Sequence, residues 1–215
     1  MTIPKLLFAA TLTAAVTFAG RAAADAPRAS DIVAKMAATN ESLQSYKVRI
    51  HFDVDLHSFI TMHPTLDGTY YYKKPDKAEL DFDTVPVVAQ EFKHFYASMG
   101  SPSTWGQAYD ISLASVTSDG GRERYTLKLV PKHDGNVDHM LVATDSSDYA
   151  IVREQWFYRN GGVISMDEHN QRLGEWVLPK TQTADFKLPS YQAHVVSAFG
   201  KFELNAKIAD SVFGR

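Results

Sequence analysis

The chain has 215 residues, a formal net charge of −3, 45% hydrophobic residues and 12% aromatics. That is enough apolar material for one well-filled domain without covalent staples. The absence of cysteine excludes a disulfide framework and a lipid-modified thiol at a processed N-terminus, and the charge balance lacks the clustered Lys and Arg excess of a nucleic-acid-binding protein.

Lys5 gives a short positive start, and Leu6 to Phe18 is an apolar run of the length of a secretory signal core. Gly20 and Arg21 end it before the roughly 20 residues a membrane span needs. Ala22-Ala23-Ala24 offers the small-x-small pattern that a signal peptidase reads, so residues 1–24 are expected to be a signal peptide cleaved after Ala24. The expected product is a single soluble domain, residues 25–215, located in the periplasm.

Ser30 is placed as the cap of a helix running to about Gln44, with Ile32, Met36 and Leu43 on its apolar face. The period then changes to two. Tyr46, Val48, Ile50, Phe52, Val54 and Leu56 alternate with Lys47, Arg49, His51, Asp53, Asp55 and His57, which predicts a strand with one covered and one wet face. Further strands are predicted at Gly68 to Lys73 and Lys77 to Asp83, joined by the turn Lys74-Pro75-Asp76, with Ala78, Leu80 and Phe82 continuing the apolar face. From Val85 to Trp105 the pattern is that of a helix and mobile loop, with Val88, Phe92, Phe95, Tyr96 and Met99 as an apolar stripe. Strands resume by about Ala108 and continue at Arg124 to Pro131, Val137 to Thr144, Tyr149 to Tyr158 and Val163 to Asp167. The turns Asp134-Gly135-Asn136, Ser146-Ser147-Asp148 and Asn160-Gly161-Gly162 separate them. Such spacing leaves no room for crossover helices, so an up-and-down antiparallel sheet curling into a barrel or half-barrel is expected.

The search for chemistry returns little. His51, Asp53, Asp55 and His57 have a strand spacing that can hold zinc, but they are also the polar half of an alternating strand, and a solvated outer face accounts for all four. His133, Asp134, Asp138 and His139 straddle a turn in which Asp and Asn serve the backbone. No nucleophile elbow, metalloprotease helix or phosphate-cradling glycine loop is present. The sequence therefore reads as non-enzymatic, with no cofactor and no metal. What stands out is aromatic excess: Tyr70 to Tyr72, Trp105, and Trp156-Phe157-Tyr158. An apolar concave sheet face must be filled by helices or shared with a ligand.

The stretch from Gly68 through Tyr70-Tyr71-Tyr72 to Lys74-Pro75, followed by the strand to Phe82, resembles the LolA/LolB family of envelope lipoprotein carriers. The hairpins around Tyr125 to Lys132, Val137 to Thr144 and Ile151 to Tyr158 resemble that family's central strands, and Val177-Leu178-Pro179 and Asn205 through Phe213 are similar to tails in some of its branches. The likeness runs from about Ser30 to Phe213. It departs from the family after Phe82, where Val85 to Gly106 replaces a short turn. It implies a mainly β, α+β fold: an eleven-strand-like half-barrel with helices covering an apolar concave face.

It also implies a soluble periplasmic carrier that binds acyl chains of lipoproteins or lipids for transfer toward the outer membrane. Membrane-bound donor and acceptor proteins would be its partners. The alternative is an envelope interaction or sensor module with the same fold and a cavity filled by side chains. The cavity and lid candidates are Phe52, Val54, Leu80, Phe82, Val88, Phe92, Phe95, Tyr96 and Met99. The family's early functional arginine has Arg49 as its nearest counterpart, but alternation puts Arg49 on the wet face, and the role is not carried over.

Overall fold

A computed structural model describes residues 27–59, 61–84 and 101–214. Helix α1 (Ala29–Ala38) is followed by β1 (Ser45–His57), β2 (Thr61–Met62), β3 (Thr65–Lys73) and β4 (Lys77–Phe82). After the short helix α2 (Trp105–Ala108) come β5 (Tyr109–Asp119), β6 (Arg122–Pro131), β7 (Val137–Asp145) and β8 (Ile151–Tyr158). The chain continues with β9 (Val163–Leu173), β10 (Trp176–Lys187), β11 (Gln192–Phe199) and β12 (Glu203–Leu204). The expected signal peptide and the whole Val88 to Met99 stripe lie outside the described residues.

All paired strands are antiparallel and form one sheet in the order β4-β3-β1-β11-β10-β9-β8-β7-β6-β5, with β2 and β12 paired to β1. Among the described residues β4 and β5 are the edge strands, and the sheet is a curved, unclosed half-barrel. The expected meander holds from β5 to β11. It breaks where β1, the first long strand, lies between β3 and β11, the last long strand, with Phe52 opposite Leu66 on one side and Ser197 on the other.

The predicted alternation of β1 is observed: Val48, Ile50, Phe52, Val54 and Leu56 are buried, whereas Arg49, His51, Asp53 and His57 are exposed. Gly68 in β3 is required by packing, because a Cβ there would stand 2.9 Å from the Asp81 carbonyl and 3.2 Å from the Phe82 ring. Two expectations for α1 need correction. The helix stops at Ala38, and its N-cap position is Arg28, with Ser30 inside the first turn and no side-chain cap. Ile32 and Met36 on the helix are nevertheless buried as expected, and Leu43, in the turn beyond it, is also buried at 1% exposed.

One end of the concave face is closed by side chains. Asn40, just past α1, donates to the Val177 carbonyl at 2.8 Å and accepts from the Val177 N–H at 2.9 Å, which ties the helix end to β10. Thr39 donates to the Asp148 carbonyl, and the Lys35 ammonium donates to the Tyr149 hydroxyl at 2.9 Å. The C-terminal segment completes this closure. Phe202 packs on Tyr46 with ring centroids 5.4 Å apart, and Asn205 exchanges hydrogen bonds with Gln44 and Ser45.

Candidate functional site

The opposite end of the same face is open. Turns β6–β7, β8–β9 and β10–β11 and the start of β5 surround a cavity of about 1010 Å³. Alternation explains its walls. Trp156 and Tyr158 on β8, Ile164 on β9 and Phe186 on β10 all point to the concave side, and the register sets Trp156 opposite both Met140 and Ile164. Tyr109, Val137, Leu188 and Tyr191 complete the apolar lining, and His133, Asn136, Asn160 and Ser190 supply its polar edge. No Asp, Glu, Lys or Arg lines it among the described residues. Burial raises the Tyr109 and Tyr158 phenols, so both remain neutral hydroxyls near neutral pH.

The mouth is held by backbone contacts between turns. Arg159 donates from Nε to the Gly135 carbonyl at 3.0 Å, and its N–H donates to the Asn136 carbonyl. Gly162 lies where a Cβ would meet Leu188 at 2.8 Å, so its small size lets the β8–β9 turn close on the β10–β11 loop.

Of the nine predicted cavity and lid residues, four fall among the described ones. Phe52, Val54, Leu80 and Phe82 are 3%, 6%, 1% and 7% exposed and share one core, with the Phe52 and Phe82 rings 5.6 Å apart. They pack in the β1–β3–β4 part of the sheet and do not border the large cavity. Val88, Phe92, Phe95, Tyr96 and Met99 lie outside the described residues. The residues that do border the cavity were partly signalled by the aromatic run Trp156-Phe157-Tyr158. Its odd member, Phe157, instead stacks on His139 on the other face at 4.5 Å.

The outer histidines and aspartates are brought together as pairs. His51 contacts Asp67 at 3.0 Å, and His57 and His63 both lie beside Asp55. Among the described residues no three His, Cys, Asp or Glu side chains are arranged to hold a metal ion. The Asp67 carboxylate raises the His51 pKa. Arg49 is exposed, as alternation requires, and forms a two-pronged ion pair with Asp83 at 2.7 and 2.5 Å.

A second group was not anticipated. Glu154 on β8 and Glu168 on β9 both face the concave side in the strip between the open and closed ends. Glu154 is 1% exposed, and Gln182 donates to Glu168 at 2.9 Å. Burial, with the Glu168 charge as a lesser cause, pushes Glu154 well above the usual carboxylic range, and burial lifts Glu168 to about 7.

No protein-family profile matches the sequence, and no curated protein matches it significantly. Solved structures do share its fold. A DUF1329 family protein from Desulfovibrio piger superposes with a TM-score of 0.65 at 11% identity, over 84% of this chain and 93% of that one. A LolA superfamily protein from Nitrosomonas europaea gives 0.60 at 12% identity, over 88% and 99%. An outer-membrane lipoprotein-sorting protein domain from Vibrio parahaemolyticus gives 0.62 at 9%, over 84% and 94%. The chain has a LolA-like half-barrel fold. At these identities the likeness concerns architecture, and function must be argued from the site.

Proposed function

We propose that the protein is a non-enzymatic carrier that takes up acyl chains of lipids or lipoproteins in the open-end cavity and works in the periplasm once residues 1–24 are removed. The observation that carries this reading is the cavity itself: about 1010 Å³, walled by Trp156, Tyr158, Ile164, Phe186 and Met140, with no Asp, Glu, Lys or Arg among the described residues of its lining. That volume stands at the top of the ~300–1,000 Å³ common for small-ligand sites. Each methylene transferred from water into such a site contributes about 0.8 kcal/mol, so a chain needs only partial insertion to be held. Neutral hydroxyls and amides at the edge suit a polar head group left near solvent. The lipoprotein-sorting fold neighbour supports the same reading, as does the sequence likeness to envelope carriers.

The test is native mass spectrometry with lipid extraction on protein purified from the periplasm, followed by titration with a fluorescent fatty acid. Wild type should bind. Val137→Trp, which fills the cavity from its half-buried wall, should bind at least tenfold more weakly while keeping its far-UV spectrum. Failure of the folded wild type to bind any acyl chain would transfer the protein to the class of interaction modules.

A further inference from the structure

A smaller cavity of about 250 Å³ lies toward the closed end, between the turn after α1, the β1 and β3 tyrosines and strand β9. Its volume is below that of sites for drug-sized ligands and suits a small head group, not a chain. One wall is aromatic: Tyr46 lies 5.2 Å from Tyr72, stacked, and 6.0 Å from Tyr70. Facing them in the same cavity is Glu168. Gln182 occupies only Oε1 of its carboxyl, and Oε2 meets no protein donor among the described residues. Behind it stands Glu154, 1% exposed, whose Oε1 also meets no partner among the described residues. The one lysine in the lining, Lys74, already donates its ammonium to the Glu41 carbonyl.

We infer that this small cavity is a binding site for an organic ammonium ion, seated between the Glu168 carboxylate and the rings of Tyr46, Tyr70 and Tyr72. Aromatic faces attract cations through their quadrupole, and a partly desolvated carboxylate with a free oxygen supplies the charge. Two buried carboxyls on adjacent strands repel when both ionise, and a cation beside them removes that conflict. A neutral ligand would leave it in place. The inference does not depend on acyl binding at the other end.

The groups facing Glu168 set the pH dependence. They are Glu154 from β8, Gln182 from β10, Tyr46 from β1, Tyr70 and Tyr72 from β3, Lys74 from the β3–β4 turn and Tyr149 from the β7–β8 loop. In the empty protein Glu168 keeps its proton up to about pH 7. Binding of a permanent cation must displace that proton, so affinity rises from pH 6 to pH 8.

The experiment is isothermal titration of the full mature chain with choline, which has no titrating amine in this range. Dihexanoyl phosphatidylcholine and dihexanoyl phosphatidylglycerol serve as matched lipids with and without the ammonium. Wild type should bind choline or the choline lipid more tightly at pH 8 than at pH 6, and Glu168→Gln should weaken this by about tenfold or more. Binding of choline itself assigns the site to free organic ammonium ions, and binding of the choline lipid alone assigns it to a lipid head group. Because the open-end cavity can take acyl chains of either lipid, the ammonium contribution is read as the affinity lost in Glu168→Gln; no such loss for the choline compounds, no pH dependence in wild type, or no binding of either ammonium compound by folded protein overturns the proposal. If Glu168→Gln does not fold, Tyr70→Leu replaces it, again with several-fold weaker binding expected.

Discussion

The two ends of the concave face are built from the same strands and reach opposite outcomes. At the closed end backbone groups are saturated: the Asn40 side chain takes both the N–H and the carbonyl of Val177, while Asn205 accepts from the Gln44 N–H through its side chain and donates its own backbone N–H to the Ser45 carbonyl. Ile32, Met36 and Leu43 then fill the space beneath. At the open end the strands finish in tight turns whose contacts run from turn to turn, Arg159 to Gly135 and Gly162 against Leu188, around a cavity of about 1010 Å³. The closed end therefore holds the curvature, and the open end keeps a cavity. On the proposed carrier reading, stability and binding are separated along the length of each strand.

That separation is breakable by mutation. The largest effect is expected at the covered part of the face: Trp105→Ala removes a 1%-exposed side chain and should cost about 3–5 kcal/mol in chemical denaturation. Leu188→Ala, at the cavity mouth, should cost less than about 1.5 kcal/mol and lower acyl affinity instead. Equal losses would mean that the cavity is part of the rigid core. Asn40→Ala leaves the Val177 N–H and carbonyl without partners and should destabilise by about 2–3 kcal/mol, without altering ligand binding at the other end.

The carboxyl strip sharpens the comparison through pH. Unfolded glutamates ionise near 4.5, while the fold keeps Glu168 protonated to about 7 and raises Glu154 as well. Above pH 4.5 the unfolded state thus binds fewer protons than the folded state, so stability should fall as pH rises toward 7, the reverse of ordinary acid denaturation. Melting temperatures of Glu154→Gln across this range should be flatter than those of wild type. The smallest effect belongs to the outer face: Arg49→Ala breaks an exposed ion pair, and its unfolding midpoint should be indistinguishable from wild type.

Legibility in the sequence followed the strength of alternation. Strand β1 could be read residue by residue because its inward positions are large and its outward ones charged. Strand β10 was missed because its inward residues include Gln182 and Ala184, and Pro179 stands at a register shift that the sequence does not announce. Strand β11 was missed for a similar reason, since Ala193 and Ser197 point inward while Val196 faces out. Without those two strands the position of the cavity was out of reach, because Phe186 and Tyr191 belong to β10 and the loop after it. Glu154 and Glu168 were invisible for the opposite reason: a glutamate in a strand normally signals an outward face.

The place of β11 has a further consequence. Among the described residues, Gln192–Phe199 alone join β4-β3-β1 to the six strands from β10 to β5, and they follow all of those strands in sequence. Until those residues are available, the N-terminal hairpins have no neighbour on one side of β1 and no completed concave face. Pairings so distant in sequence are slow to form. Assembly is therefore timed by β11: a chain emerging N-terminus first remains two unjoined sheets until that strand has been delivered.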